Sequence, residues 1–344
     1  MKTNNSILLI FFSITCQFIY GQATPVNKVK FFEEQAPLSV TLAANWNKII
    51  NQKNNTGYVY PGMFICKLPD STLVNDSINL EVRGHFRREH CYLPPIKINF
   101  KKYDQSVMYP LKSLKLVNSC KANSVSDQNL LKEYLIYKMY NLFTDKSFRV
   151  RLLNIEYKDS SGKSNKFTEH AFFIEDVDEM AKRNDCIEWE HANLNQETTE
   201  RNQMTILAIF EYMVGNTDWA VSANHNIKLI QSKQDSTSRP YAVLYDMDWS
   251  GLVNSDYAVP DPILNTETVK ERVYRGFPRT QEEINSAIDQ FKKQKENIYA
   301  LINNFELLTP KSKKGMIDYL DEFFDTINSP KQVKYVFIDN ARTQ

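Results

Sequence analysis

Gly215-Asn216-Thr217-Asp218-Trp219, then Asn224-His225-Asn226-Ile227-Lys228-Leu229-Ile230, then Ala242-Val243-Leu244-Tyr245-Asp246-Met247-Asp248-Trp249-Ser250-Gly251: the reading of the chain turns on this stretch. Before it, residues 198–214 carry Met204, Leu207, Ala208, Phe210, Met213 and Val214, too many apolar side chains for a solvated helix, and predict a buried one. Residues 227–230 and 242–245 are short apolar runs and predict two strands. The order is therefore helix, acid, polar loop, strand, turn, strand, acid. Asp218, Asp246 and Asp248 gather at the strand borders. Neighbouring carboxylates repel and are costly to desolvate unless a positive charge lies between them, and hard oxygen ligands suit magnesium. Phosphoryl transfer uses such a set: one Asp orients the attacking hydroxyl, while an Asn and a second Asp hold metal on the phosphates. Each residue also has an ordinary reading, Asp218 as a helix-exit turn and Asp248 as a loop acceptor.

Working outward, Ile78-Asn79-Leu80-Glu81-Val82-Arg83-Gly84 and Pro94-Pro95-Ile96-Lys97-Ile98-Asn99-Phe100 alternate and predict two strands joined by a basic turn with Arg87 and Arg88. Ser113-Leu114-Lys115-Leu116-Val117 predicts a third strand. Residues 38–42 read as an edge strand followed by a loop, residues 127–143 as a helix, and residues 150–157 and 170–175 as a hairpin. Residues 281–305 and 310–327 have helical spacing. The sum is an α+β chain, with an α+β unit over 22–190 and a mainly helical unit over 191–344.

The chain has 344 residues, 42% hydrophobic and 24% charged, enough to bury a sizeable core. With 42 basic and 41 acidic residues it has no global attraction for phosphate backbones, so nucleic acid is not the expected partner. Lys2, an apolar run at 7–12 and Gly21 predict a signal peptide over 1–21, and hence export to the periplasm, the cell surface or the medium. No later stretch is long enough to span a membrane. The exported chain keeps Cys66, Cys91, Cys120 and Cys186, whose pairing, or burial as thiols, the sequence leaves open. His85, His90 and Cys91 fit no common zinc spacing, and His170, His191 and His225 are scattered.

Through Val82-Arg83-Gly84, Pro95-Ile96-Lys97-Ile98, Phe173-Ile174-Glu175-Asp176-Val177-Asp178, Gly215-Asn216-Thr217-Asp218 and Tyr245-Asp246-Met247-Asp248-Trp249-Ser250-Gly251, the chain resembles the CotH (spore coat protein H) kinase-like family over residues 78–255. The resemblance implies a protein-kinase-like two-lobed fold, with an N-terminal antiparallel sheet plus helix and a mainly helical C-terminal lobe. It implies ATP and Mg2+ as cofactors and a protein or small hydroxylated molecule as phosphoacceptor. Asp218 becomes the catalytic acid, Asn226 and Asp246 metal ligands, and Lys97 the phosphate lysine. Asp248 can join the metal ligands, and Glu133 or Glu175 can pair with Lys97. The match departs from the family pattern in two places. Asn224 and Asn226 follow Asp218 by six and eight residues where kinase loops use about five. In place of a glycine-rich phosphate loop stands the basic turn with Arg83 and Arg87, which would hold phosphate by guanidinium groups. The alternative function is a kinase-like binding module without catalysis.

Overall fold

The computed structural model describes residues 25–342 apart from 56, 103–105, 164 and 191–193. The expected signal peptide and His191 lie outside the described residues. The chain opens with α1 (Lys28–Glu33), β1 (Leu38–Ala44), α2 (Trp46–Asn51), β2 (Val59–Lys67) and β3 (Leu73–Val82). It continues through α3 (Phe86–His90), β4 (Ile96–Phe100), β5 (Ser113–Asn118), α4 (Ser124–Tyr140), β6 (Val150–Asp159) and β7 (Phe167–Ile174). The seven strands close into one barrel in the order β1-β2-β3-β4-β5-β7-β6. Alternation drives this: Leu38, Val40, Leu42 and Ala44 of β1 point inward, as do Ile78 and Leu80 of β3 and Ile96 and Ile98 of β4.

The remainder runs through α5 (Val177–Arg183), β8 (Cys186–Glu188), α6 (Arg201–Val214), β9 (Ile227–Ser232), β10 (Tyr241–Leu244), α7 (Gln281–Asn303), α8 (Pro310–Asn328) and α9 (Pro330–Lys334). β10, β9 and β8 form a separate antiparallel three-stranded sheet. α6 is buried over most of its length, and its apolar residues share one core with α4, α7 and α8. The outward residues Val150, Leu152, Phe172 and Ile174 of β6 and β7 belong to that same core, so α4 joins the barrel wall to the helices. No helix among the described residues is long and apolar enough to cross a membrane.

This architecture corrects the expected two-lobed kinase-like fold. The N-terminal sheet is a closed barrel of mixed strands, not an open antiparallel sheet, because β1 is paired on both sides. Val40 lies opposite Cys66 of antiparallel β2 and opposite Ile155 of parallel β6. Nothing in Leu38-Ser39-Val40-Thr41-Leu42-Ala43-Ala44 blunts an edge: it has no charge and no proline. β2 escaped sequence reading because Pro61 and Gly62 interrupt its strand signal. Gly62 is held to glycine by the close approach of β1, since a Cβ there would lie 2.9 Å from the Ala43 carbonyl oxygen. Nor is the second half simply a helical lobe, because the three-stranded sheet shares its core with the helices.

Of the four cysteines, Cys91 and Cys120 form a disulfide across 29 residues of sequence, while Cys66 and Cys186 are buried free thiols. The disulfide ties the end of α3 to the segment between β5 and α4.

Candidate active site

α6 ends at Gly215, whose φ of +68° is left-handed and whose Cβ, were there one, would lie 2.0 Å from the Tyr319 hydroxyl oxygen. Only glycine fits there. Buried Asn216 follows, and its Oδ1 accepts the Asp218 N–H at 3.1 Å. The Gly251 and Leu252 N–H groups donate to the Gly215 and Val214 carbonyls at 3.0 Å each, stitching the segment after β10 to the end of α6. Between them, Ala220 and His225 pair as an isolated bridge, with Asn224 and Asn226 at φ of +48° and +50°. Asparagine tolerates this region better than other side chains. Asp246 also sits at φ +61°, its N–H donating to the Tyr137 hydroxyl of α4 at 2.9 Å.

These turns aim polar side chains at one place. Asp218 Oδ1 lies 2.7 Å from His225 Nε2. Asn226 Nδ2 donates to the Asp218 carbonyl at 2.7 Å and to Asp218 Oδ2 at 2.9 Å. The Tyr257 hydroxyl donates to Asp248 Oδ2 at 2.7 Å. The opposite rim is Arg83 with α3, where the Phe86 ring packs edge-on to Trp249 at 5.2 Å and tilted against Tyr257 at 5.8 Å. Arg87 donates to the Asn118 carbonyl, and the Nε groups of Arg83 and Arg87 are buried without a hydrogen-bond partner. The two rims enclose a cleft of about 420 Å³ lined by Arg83, Arg87, Asp218, Asn226, Asp246 and Asp248 among others.

Burial, and next Asp246, pushes the Asp248 carboxyl up to about 8, while Arg87 pulls against them. Glu133, on α4 behind the cleft, is raised well above the carboxylate range by burial and then by Asp248 and Asp246. Burial opposes the charge on Arg87, yet Tyr257, Asp248, Glu133 and Asp246 more than reverse that and hold it cationic. The cluster thus sets three carboxyls against a guanidinium in a dry setting, where charge interactions are strong.

Of the residues expected at the site, Asp218, Asn226, Asp246, Asp248, Arg83 and Arg87 line the cleft. Glu133 stands behind it beside Arg87. Lys97 does not line it: on the outer face of β4 it pairs in register with Glu81 and Lys115. Glu175 is bonded to Arg183 at 2.9 Å instead of to Lys97. The lysine nearer the cleft is Lys115 of β5, whose Nζ lies 4.7 Å from the centre of the Tyr245 ring and is pushed down to about 8 by burial, with Arg83 and Lys228 adding to the effect. Sequence alternation had no means of separating Leu114-Lys115-Leu116 from Ile96-Lys97-Ile98. His225 was passed over as a scattered histidine; its contact with Asp218 depends on the bridge that folds the loop back.

Among the described residues, no group of three or more His, Cys, Asp and Glu side chains is arranged to hold a metal ion alone. Asp246 and Asp248 offer two carboxylates and Asn226 leaves its Oδ1 as an acceptor. That donor set fits magnesium, which takes one or two carboxylates and fills its remaining positions with phosphate oxygens and water. Compared with known proteins, the chain matches no protein-family model and no curated protein.

Proposed function

We propose that the protein is a magnesium-dependent phosphotransferase that moves the terminal phosphate of ATP to a hydroxyl of a protein or small molecule, on a barrel-and-helix scaffold of its own. The observation that carries this reading is the convergence of Asp218, Asn226, Asp246 and Asp248 on one cleft whose facing rim is Arg83 and Arg87. Magnesium, when bound, neutralises phosphate oxygens as charge moves onto them. Asp246 and Asp248, with Asn226 Oδ1, are the atoms that hold it. Arg83 and Arg87, on the facing rim, keep phosphate oxygens in place through their guanidinium groups. Asp218 accepts the proton of the acceptor hydroxyl, its carboxylate fixed by Asn226 and His225. Phe86 and Trp249 form part of the cleft wall.

The test is a thermal shift with ATP, with and without magnesium, followed by transfer of labelled terminal phosphate. Asp246→Ala should abolish the magnesium-dependent shift. Asp218→Asn should keep the shift and slow transfer by about 10² to 10⁴-fold, the usual contribution of a positioned base. A parent protein with no magnesium-dependent shift overturns the proposal. Nucleotide binding without transfer, unchanged in Asp218→Asn, would leave a binding module instead.

A further inference from the structure

A second polar feature lies far along the chain from the cleft residues, at the barrel mouth beneath α1. Along β6, Val150 and Leu152 face the helical core while Leu153, Ile155 and Tyr157 face the barrel interior. Arg151, opposite Phe173 in β7, points to the interior side and is 2% exposed. Its Nε and Nη1 have no hydrogen-bond partner. The nearest carboxylate oxygen is that of Glu34, 3.9 Å from Nη1 on a side chain 51% exposed. The Phe31 ring lies 5.8 Å away. Burial drives the neighbouring Cys66 thiol up to about 12, so it stays neutral and supplies no counter-charge. Buried Asp76 accepts the Ser106 hydroxyl at 2.8 Å and the Met108 N–H at 3.3 Å.

A buried guanidinium with unmet donors is costly. This one borders a cavity of about 320 Å³ with apolar walls at Val26, Phe31, Leu68 and Pro69, and with Lys30, Glu34 and Asp70 also lining it. That volume suits a small molecule. Apolar walls give an inorganic anion nothing in exchange for its hydration, whereas they suit a hydrocarbon chain. We propose that this cavity binds a small organic carboxylate with an apolar tail, its carboxylate on Arg151 and its tail along Val26, Phe31 and Leu68. α1 covers the site and is tied down by partly exposed pairs, Lys28 with Glu179 and Glu33 with Arg149.

Octanoate, octanol and inorganic phosphate, titrated calorimetrically into the full chain, test this. Octanoate should saturate one site, at least about tenfold tighter than the other two, a difference of about 1.4 kcal/mol. Arg151→Met should lose at least that factor while folding as well as the parent, because an apolar residue of similar volume replaces a buried charge whose ion pair with Glu34 is long, at 3.9 Å. Absence of saturation by octanoate, equal binding of octanol or phosphate, or undiminished octanoate binding by Arg151→Met overturns the proposal. Should the variant not fold, the Arg151 Nε–H resonance of the unaltered protein decides. It shifts with octanoate and not with octanol if the site is real, and failure to move overturns it.

Discussion

Glu211 lies buried on α6 beneath the Asp218 loop, and burial pushes its carboxyl up to about 8, with Asp218 adding to the shift and Asn216 and Arg275 opposing it. In the unfolded chain the same group titrates near 4.5. Its contribution to stability is therefore complete below pH 4.5 and is lost as pH rises through about 8, since the unfolded form gains by releasing the proton first. Glu211→Gln removes this dependence, so Tm should fall less between pH 5 and 8 in the variant than in the parent. Identical slopes would show that the burial argument fails. Lys115 gives a second test at this scale: Lys115→Met should weaken ATP binding by about tenfold, the worth of a charge-assisted hydrogen bond, and Lys97→Met should leave it nearly unchanged. Sequence reasoning reached the acids and asparagine because a turn between helix and strand keeps its polar residues near one another. It missed Lys115 because which lysine of a register pair lies against Tyr245 is decided by neighbouring elements, far away in sequence.

At the scale of elements, α3 is the piece most dependent on outside support. It is five residues long and has no side-chain cap, too short to persist by itself. It is held by the Cys91–Cys120 disulfide, by Arg87 on the Asn118 carbonyl and by Phe86 against Trp249. Replacing both cysteines by serine should destabilise the protein by about 3.6 kcal/mol, the value expected for a loop of this length, measurable by urea unfolding. Nucleotide binding should weaken more than stability explains, because Arg87 loses its mooring; unchanged nucleotide affinity in the folded double variant would separate α3 from phosphate binding. The basic turn was legible as three arginines in six residues. That it coils into a helix and is clasped to the β5–α4 segment was not, since four cysteines allow three complete pairings and none is favoured by spacing.

For the molecule as a whole, barrel closure depends on β1, whose pairing with β6 is the one parallel pairing among those described. Because β1 is bonded on both sides, its amides should exchange with solvent only on global unfolding, and Thr41→Pro, which deletes a donor in mid-strand, should destabilise the fold by about 3 kcal/mol or more. Fast exchange of β1 amides in the native protein would mean an open sheet. The strands flanking this closure were largely readable from alternation, but the parallel pairing of β1 with β6 joins residues more than a hundred positions apart, and no local pattern announces it. The absence of charge on β1 was the one available sign. Closure also governs how this molecule meets others. With every barrel strand satisfied, the free strand sides among the described residues belong to β8 and β10, of three and four residues. Edges so short offer little template for strand addition, so the native protein should resist amyloid-like stacking and domain swapping, and a protein substrate must be gripped by side chains instead of being zipped onto a sheet.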